Sequence, residues 1–452
     1  MQTPPPPPDQ FTLTCIVGPD AGKVIELPVH QPLVLGNGFQ SNYRLSDPYV
    51  ADQHLSLYFD GQRLHFQTLD NQYVRYNGEP ARVGELRPEF DTLQIGTSLW
   101  RLSKIAPAGF SQAQHQFSEP YQRFSNFAGV DQLDSDFSLK AIFSRIGEKR
   151  TDDDIEQAFT VGTRDTTPPL ASLAANWPQP WLFGRIASAS LLVFWGLYIG
   201  AAQFSNIIVI PGLLFVGAFA VPFACLIFFW EMNAPQNVSL YQTVKLLFTG
   251  GILSILISLL FFSNISFLSS WLGASSAGIV EESGKLLTVL ALMRNKRKYP
   301  WILNGLLFGA AVGTGFAAFE SAGYAFVALL EYGSVEVALA NIVARGIMAP
   351  FAHIIWTAIT AAAVWRLKGF GPFRWELLRE KAFIRLFVLV MVMHMLWNAG
   401  FDFPLFPSIF GIQFKHILIG LLGWTIVLSL IQEGLKQIKK AQQEAASGSS
   451  WY

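Results

Sequence analysis

The sequence has few cysteines, few charges and no excess of charge of either sign. Only two of its 452 residues are cysteine, and they have no metal-type spacing, so neither a disulfide framework nor a cysteine-based zinc site is expected. Lysine plus arginine and aspartate plus glutamate each number 32, so net charge gives no reason to expect nucleic-acid binding. With 14% charged and 51% apolar residues, the composition predicts a membrane protein rather than a soluble enzyme.

The apolar residues are concentrated in the second half of the chain. The first 170 residues are polar, whereas residues 180–430 are long apolar stretches separated by short loops. The N-terminus has no signal-peptide pattern, so we expect the soluble part to stay in the cytoplasm. We predict five segments: a disordered Pro-rich tail (1–10), a β-sandwich (11–106), a linker with short helices (107–178), a membrane domain (179–432) and a cytoplasmic tail (433–452).

The segment 11–106 has the pattern of an all-β domain, with short alternating strands between Gly, Asn and Asp turns. It resembles a forkhead-associated (FHA) domain. The residues that carry the resemblance are Leu35-Gly36, Asp47-Pro48-Tyr49-Val50 leading to His54, Tyr76-Asn77-Gly78, Leu86 and the run from Asp91 to Gly96.

The resemblance fails at the positions where FHA domains bind phosphothreonine. The family uses arginine and serine side chains there, but this sequence has Asn37, Ala51 and Asp52. A phosphate dianion needs cationic donors, and Asp52 would repel it. We therefore expect a scaffold that docks a protein partner or the membrane part, with His54 as a structural histidine.

About eight apolar windows in the second half are long enough to cross a bilayer. Lysine and arginine are concentrated after the fourth, sixth and eighth windows, which predicts that both termini are cytoplasmic. We expect the membrane to be a plasma (inner) membrane of bacterial type. The fold class is thus a multi-domain chain with an all-β FHA-like sandwich followed by an all-α polytopic membrane domain. The windows are 181–203, 207–230, 242–263, 271–293, 302–330, 337–366, 383–402 and 409–431.

Four successive windows each contain a pair of side chains separated by four residues, most of them polar, which places both on one helix face. Ionisable groups inside a span are costly and indicate function. The pattern resembles the PrsW family of intramembrane proteases, relatives of the CAAX-processing proteases, over residues 180–430. The matching motifs are Glu281, Glu282 and Lys285; Phe316 and Glu320; His353 and Thr357; His394 and Asn398.

These side chains suit peptide hydrolysis with or without a metal. Without one, Glu281 is the candidate base, tuned by Lys285 or a nearby histidine, and His353 and His394 hold the oxyanion. Glu282 then binds Lys285, orients a histidine or shares a proton with Glu281. With one, Glu320, His353 and His394 would bind Zn²⁺, since two histidines and a carboxylate form a common catalytic set. Asn398 and Thr357 are candidates to orient a histidine or to donate to the oxyanion. Both schemes stay open at this stage.

The resemblance implies an intramembrane endopeptidase that acts on a membrane protein or peptide in the bilayer, such as an anti-sigma factor already trimmed by another protease. Two other classes stay open: a proton-coupled transporter or channel, which also keeps carboxylates and histidines at mid-membrane, and a non-catalytic membrane scaffold that senses a partner through the FHA-like domain. We see no internal repeat of the kind expected for a transporter. Arg345 is expected to form a structural ion pair with Glu282 or Glu320.

Overall fold

A computed structural model describes residues 10–60, 63–69, 71–87, 91–105, 120–134, 137–204, 207–401 and 412–447. The chain divides into two compact units, residues 1–121 and 122–452. The predicted Pro-rich tail, apart from its last residue, and the first part of the predicted linker lie outside the described residues.

The N-terminal unit is a β-sandwich, as the alternating pattern predicts. One sheet has the strand order β2-β1-β11-β10-β7-β8 and the other β4-β3-β5-β6-β9. Neighbouring described strands pair antiparallel, except for the parallel pair β3 and β4. The strands are β1 Gln10–Val17, β2 Val24–Glu26, β3 Pro32–Gly36, β4 Tyr43–Arg44, β5 Leu55–Phe59, β6 Leu64–Thr68, β7 Val74–Tyr76, β8 Glu79–Ala81, β9 Val83–Leu86, β10 Thr92–Ile95 and β11 Ser98–Ile105.

The polar motif residues of the sandwich hold its loops in place. Asp47 is fully buried and accepts hydrogen bonds from the Thr97 N–H at 2.6 Å and the Thr97 hydroxyl at 2.7 Å. The Nδ1 of His54 accepts from the Ala51 N–H at 3.2 Å, and Nε2 lies 3.2 Å from the carbonyl of Tyr73. Burial lowers the pKa of His54. These contacts fit the structural role predicted for His54.

In the described part of the segment between the sandwich and the first long apolar helix, the chain forms three short α-helices. Residues 120–128 are helical (α1), followed by α2 Leu139–Ile142 and α3 Asp152–Phe159. The Thr151 side chain caps α3 by accepting a hydrogen bond from the Asp154 N–H, and the Asp154 carboxylate accepts one from the Thr151 N–H. This reciprocal cap explains why an acidic run starts a helix here.

The second unit contains seven helices, within the described residues, that are long and apolar enough to cross a membrane. They run over Leu182–Ala201, Ile210–Glu231, Leu240–Asn264, Ile302–Tyr332, Val335–Lys368, Lys381–Asn398 and Phe414–Ala446. The individual helices are α4 Leu182–Phe204, α5 Ile210–Glu231, α6 Leu240–Lys245, α7 Gly251–Asn264, α8 Ser266–Leu272, α9 Ala277–Met293, α10 Ile302–Tyr332, α11 Val335–Met348, α12 His353–Lys368, α13 Lys381–Asn398 and α14 Phe414–Ala446.

The count differs from the predicted eight at one window. Window 271–293 consists of the end of α8, a 3₁₀ turn at Gly273–Ser276 and the 17-residue helix α9. Periodicity alone does not reveal this break, because small and polar residues fit both a turn and a helix. The polytopic all-α class is confirmed, with seven long apolar helices and the shorter α9.

Helix α10 is the centre of the membrane unit: 94% of its most apolar window is buried, against 6% for α4. It packs closely on α12 because glycines face that helix. A Cβ on Gly309 would lie 2.2 Å from the carbonyl oxygen of Thr357, and one on Gly313 would lie 2.5 Å from that of His353. Small residues of this kind let helix backbones approach, so the glycines fix where α12 begins.

At the opposite end of α12, residues that follow α1 are hydrogen-bonded to the membrane helices. The guanidinium of Arg366 donates to the carbonyl of Gly129 at 2.7 Å and pairs with Glu433 at 2.9 Å. The other carboxylate oxygen of Glu433 accepts from the Asp131 N–H at 2.8 Å. Residues 129–131 are thereby joined to α12 and α14.

Candidate active site

Four helices bring the predicted carboxylates and histidines into one cluster. Glu281 and Glu282 come from α9, Glu320 from α10, His353 from α12 and His394 from α13. Glu282 and His394 are only 1% and 2% exposed. Each polar pair spaced by four residues faces inward, since such residues share one face of a helix.

Helix α12 starts at the cluster because the preceding segment is broken. The 3₁₀ turn Ala349–Phe351, which contains Pro350, separates α11 from α12, and proline has no N–H for a continuing helix. His353 therefore lies in the first turn of α12. The positive end of the helix dipole is directed at neighbouring carboxylates, which is favourable.

A continuous series of polar contacts runs through the cluster. Arg345 pairs with Glu320, whose Oε2 lies 3.1 Å from Nε2 of His353. Nδ1 of His353 lies 2.9 Å from Nζ of Lys285. Lys285 donates to Oε1 of Glu282 at 2.6 Å, and the same oxygen lies 2.8 Å from Nδ1 of His394. We call these six side chains the polar chain: Arg345, Glu320, His353, Lys285, Glu282 and His394.

Glu281 stands beside the polar chain. Its Oε2 is buried and has no hydrogen-bond partner among the described residues, as is also true of the second oxygen of Glu282. Oε2 of Glu281 lies 3.8 Å from Nε2 of His394 and 4.0 Å from Nδ1 of His353. An unsatisfied buried carboxylate oxygen is costly, and of the two glutamates only Glu281 also lines a cavity beside the cluster, which makes its oxygen the candidate position for a ligand.

The chemistry of this trio fits a metal ion. Donor atoms of Glu281, His353 and His394 lie within 4.8 Å of one another. A tetrahedral zinc ion needs donors about 3.3 Å apart, so a small contraction would suffice. The trio differs from the predicted set in one ligand, because it contains Glu281 in place of Glu320. The carboxylate of Glu320 is instead engaged by Arg345 and His353.

Aromatic rings hold the basic groups of the cluster in position. The indole of Trp356 stacks on the imidazole of His394, with ring centroids 4.6 Å apart. The ammonium of Lys285 lies 4.5 Å from the ring centroid of Phe316, a cation–π contact that helps a buried cation. Phe316 of the F-x-x-x-E motif thus contacts the polar chain directly.

The two smaller motif residues lie at the edges of the cluster. The hydroxyl of Thr357 donates to the backbone carbonyl of His353 at 2.8 Å, so it fixes the start of α12. The amide of Asn398 donates to the carbonyl of Ala274 at 3.4 Å and lines the same cavity as the histidines. Asn398 therefore keeps one amide hydrogen for a ligand in that cavity.

A cavity of about 410 Å³ opens beside Glu281. Its wall includes Glu281, Glu320, His353, His394 and Asn398, together with residues that motif reading did not select. Of these, Arg345 donates to the Ser321 hydroxyl at 2.9 Å and lies over the ring of Tyr324. The charge of Arg345 inside a predicted span was the sequence signal for this residue, and its ion pair with Glu320 is one of the two that the sequence led us to expect. No sequence pattern pointed to Ser321 or Tyr324.

Comparison with known proteins covers both units of the chain. Residues 239–431 match the PrsW family of intramembrane metalloproteases. No curated protein matches the chain.

Solved FHA domains match about a fifth of the chain. An FHA domain studied for phosphothreonine-dependent interactions is 24% identical, with 22% of this chain and 98% of that one covered and a TM-score of 0.20. The FHA domain of a Chlamydia trachomatis protein is 20% identical, with 22% and 99% covered and a TM-score of 0.20. An Arabidopsis thaliana FHA domain is 14% identical, with 22% and 87% covered and a TM-score of 0.20. The N-terminal sandwich is similar to these FHA domains, and the match to the PrsW family lies within the unit that contains the long apolar helices.

Proposed function

We propose that this chain is an intramembrane endopeptidase that hydrolyses a peptide bond of a membrane-embedded or membrane-adjacent protein. The observation that supports this most directly is the position of Glu281. Its unpartnered carboxylate oxygen faces two imidazoles at the wall of a cavity. A carboxylate inside a membrane span is costly unless it serves a function.

In this proposal Glu281 and His394 hold the attacking water. Their facing atoms are 3.8 Å apart, so one water can lie about 2.8 Å from each. Glu281 removes a proton from that water as its oxygen attacks the carbonyl carbon, and then delivers the proton to the leaving amine. The C–N bond breaks, and the products are a carboxylic acid and an amine.

The other residues position this pair and the substrate. Glu282 accepts from Nδ1 of His394 and thereby directs Nε2 towards Glu281. The free amide hydrogen of Asn398 donates to the oxyanion of the tetrahedral intermediate, as preorganised donors do in acyl-transfer enzymes. Lys285, Glu320 and Arg345 keep His353 in place through the polar chain.

If a metal ion is bound, Glu281, His353 and His394 are the residues that hold it. A zinc ion there supplies Lewis-acid activation of the water and of the substrate carbonyl. Glu282 and Glu320 then orient the two histidines, since carboxylates commonly fix metal-bound imidazoles.

The substrate class follows from the location of the cavity. His394 is 13 residues from Lys381 and four from Asn398, roughly 20 Å from the start and about 6 Å from the end of α13, so it lies within the span but nearer its C-terminal end. A peptide bond reaches this depth only in a chain that enters the bilayer and unwinds there, because helical backbone groups are already paired. A single-span membrane protein, such as a trimmed anti-sigma factor, or a membrane-bound peptide meets this requirement.

We further propose a plasma-membrane location with both termini in the cytoplasm, and the five-segment division given by the sequence. Support comes from the basic residues that follow α9 and α12 and from Lys436, Lys439 and Lys440 in the C-terminal part of α14, since cytoplasmic segments are rich in lysine and arginine. The FHA-like sandwich would then present its surface to a cytoplasmic protein partner. Asn37, Ala51 and Asp52 give it no phosphate-binding arginine at the positions where the family has one.

The decisive experiment compares the purified wild type with Glu281→Gln in proteoliposomes. Single-span peptides are incubated with each protein, and products are identified by mass spectrometry. We expect cleavage by the wild type and a loss of about 10²–10⁴-fold in rate for the variant. Ser283→Ala, on the same helix but outside the polar chain, is the matched control. Ion or solute flux that depends on Glu281, without cleavage, would instead assign a transporter, and no change in either would assign a scaffold.

A further inference from the structure

The two histidines of the cluster differ in the atoms that they leave free. An ammonium group has hydrogens to donate and no lone pair to accept. Nδ1 of His353, 2.9 Å from Nζ of Lys285, must therefore be the acceptor in that contact. Nε2 of His353 then carries the hydrogen and donates it to Glu320 at 3.1 Å. Both nitrogens of His353 are occupied.

His394 has the opposite arrangement. Its Nδ1 donates to the carboxylate of Glu282 at 2.8 Å, so its Nε2 keeps a lone pair. That lone pair faces Oε2 of Glu281 at 3.8 Å. Within the trio that fits a metal ion, Glu281 and His394 each have an atom with an unoccupied lone pair, whereas both nitrogens of His353 already have a hydrogen-bond partner.

We infer that Lys285 competes with a metal ion for Nδ1 of His353, so that the site exchanges between a lysine-held and a metal-held form. Nδ1 is the His353 nitrogen paired with Lys285, and Oε2 of Glu281 lies 4.0 Å from it. The lone pair on that nitrogen serves one partner at a time. This inference depends on the proposed function in one respect, namely that the cluster around Glu281 is the active site.

Lys285 has other partners that allow it to leave His353. Its ammonium contacts Oε1 of Glu282 at 2.6 Å and lies over the ring of Phe316. Both contacts come from side chains that would not bind the metal. The exchange therefore leaves no buried charge unpaired, which would be strongly destabilising. Lys285 is in this sense a positioning residue that controls access to one metal ligand.

A thermodynamic cycle on metal binding tests the competition without measuring catalysis. Zn²⁺ affinity is measured by competition with a chromophoric chelator for the full-length protein in detergent. The four proteins are the wild type, Lys285→Met, His353→Gln and the double variant. We expect Lys285→Met to bind Zn²⁺ about tenfold or more tightly than the wild type, and this gain to vanish in the His353→Gln background.

The cycle separates direct competition from simple charge repulsion. If removal of the positive charge alone strengthens binding, the gain persists without His353 and the inference is overturned. Unchanged or weaker binding by Lys285→Met also overturns it. Heat denaturation monitors folding. If Lys285→Met does not fold, the same comparison is made in the Glu282→Gln background, with Glu282→Gln alone as the reference, because Glu282 orients His394 and its loss changes metal affinity by itself. Because the readout is metal affinity, an absence of protease activity would count against the proposed function and not against this exchange.

Discussion

Oε2 of Glu281 faces Nε2 of His394 at 3.8 Å, while the carboxylate of Glu320 is taken up by Arg345 and His353. The sequence led us to expect Glu320 as the metal ligand and Glu281 as the base of a metal-free mechanism. Because only Glu281 of these two has a buried carboxylate oxygen without a hydrogen-bond partner, we propose Glu281 as the metal ligand instead.

Glu281→Gln should weaken Zn²⁺ binding by more than tenfold, and Glu320→Gln should weaken it much less, because loss of a ligand costs more than loss of a group that orients one. Dissociation constants measured by chelator competition provide the comparison. A larger effect for Glu320→Gln would restore the ligand set of Glu320, His353 and His394.

Arg345 and Glu320 should be energetically coupled. Either single substitution, Arg345→Gln or Glu320→Gln, leaves a partly buried charge without its partner, which costs more than removal of the pair. The double variant should therefore be more stable than the sum of the single effects predicts, with a coupling of about 0.5–3 kcal/mol. Free energies of unfolding of the four proteins in detergent complete this double-mutant cycle. Strictly additive effects would show that the ion pair contributes nothing to stability.

Gly313→Ala should displace His353 and reduce cleavage. The added Cβ would lie 2.5 Å from the carbonyl oxygen of His353, so α10 and α12 must separate, at a cost of about 1–3 kcal/mol. Gly323→Ala on the same helix is the matched control, since nothing lies within 4 Å of its Cβ. The control should keep full activity, and its free energy of unfolding should rise by about 0.5–1 kcal/mol, because alanine is more stable than glycine in a helix interior. Equal behaviour of the two variants would contradict the tight packing.

The sandwich should lose stability in acid. Burial alone would raise the pKa of Asp91, but hydrogen bonds from Arg87, Asn77 and Tyr76 outweigh it and lower the pKa. A carboxylate whose folded pKa lies below its unfolded value of about 3.9 stabilises the fold above that pH. This contribution should be lost as the pH falls below about 4. Thermal unfolding of residues 10–105, a fragment with its own core, should show a falling midpoint there, and Asp91→Asn should flatten the dependence.

The fold class and the cluster were predictable because each depends on spacing. Alternation gave the sandwich, and pairs four residues apart placed Glu281, Glu320, His353 and His394 on inward faces. Partners within the cluster depend instead on rotamers and helix rotation, which spacing does not determine. The contact between Lys285 and His353 joins residues 68 positions apart, and no local sequence pattern predicts it. The roles of these residues in catalysis stay predictions.

The breaks within the apolar windows could not be predicted from the sequence either. Window 337–366 predicts one continuous helix, but the turn at Ala349–Phe351 divides it and α12 begins at His353. Pro350 was a signal for this break, but proline is tolerated in membrane helices when neighbours satisfy the freed groups. Only the packing of the surrounding helices decides between a kink and a new helix.

The hydrogen bonds that join residues 129–131 to Arg366 and Glu433 attach the segment after α1 to helices α12 and α14. Arg366 and His353 lie on the same helix, 13 residues or roughly 20 Å apart. A force on residues 129–131 would therefore act on α12 at the end opposite the candidate active site.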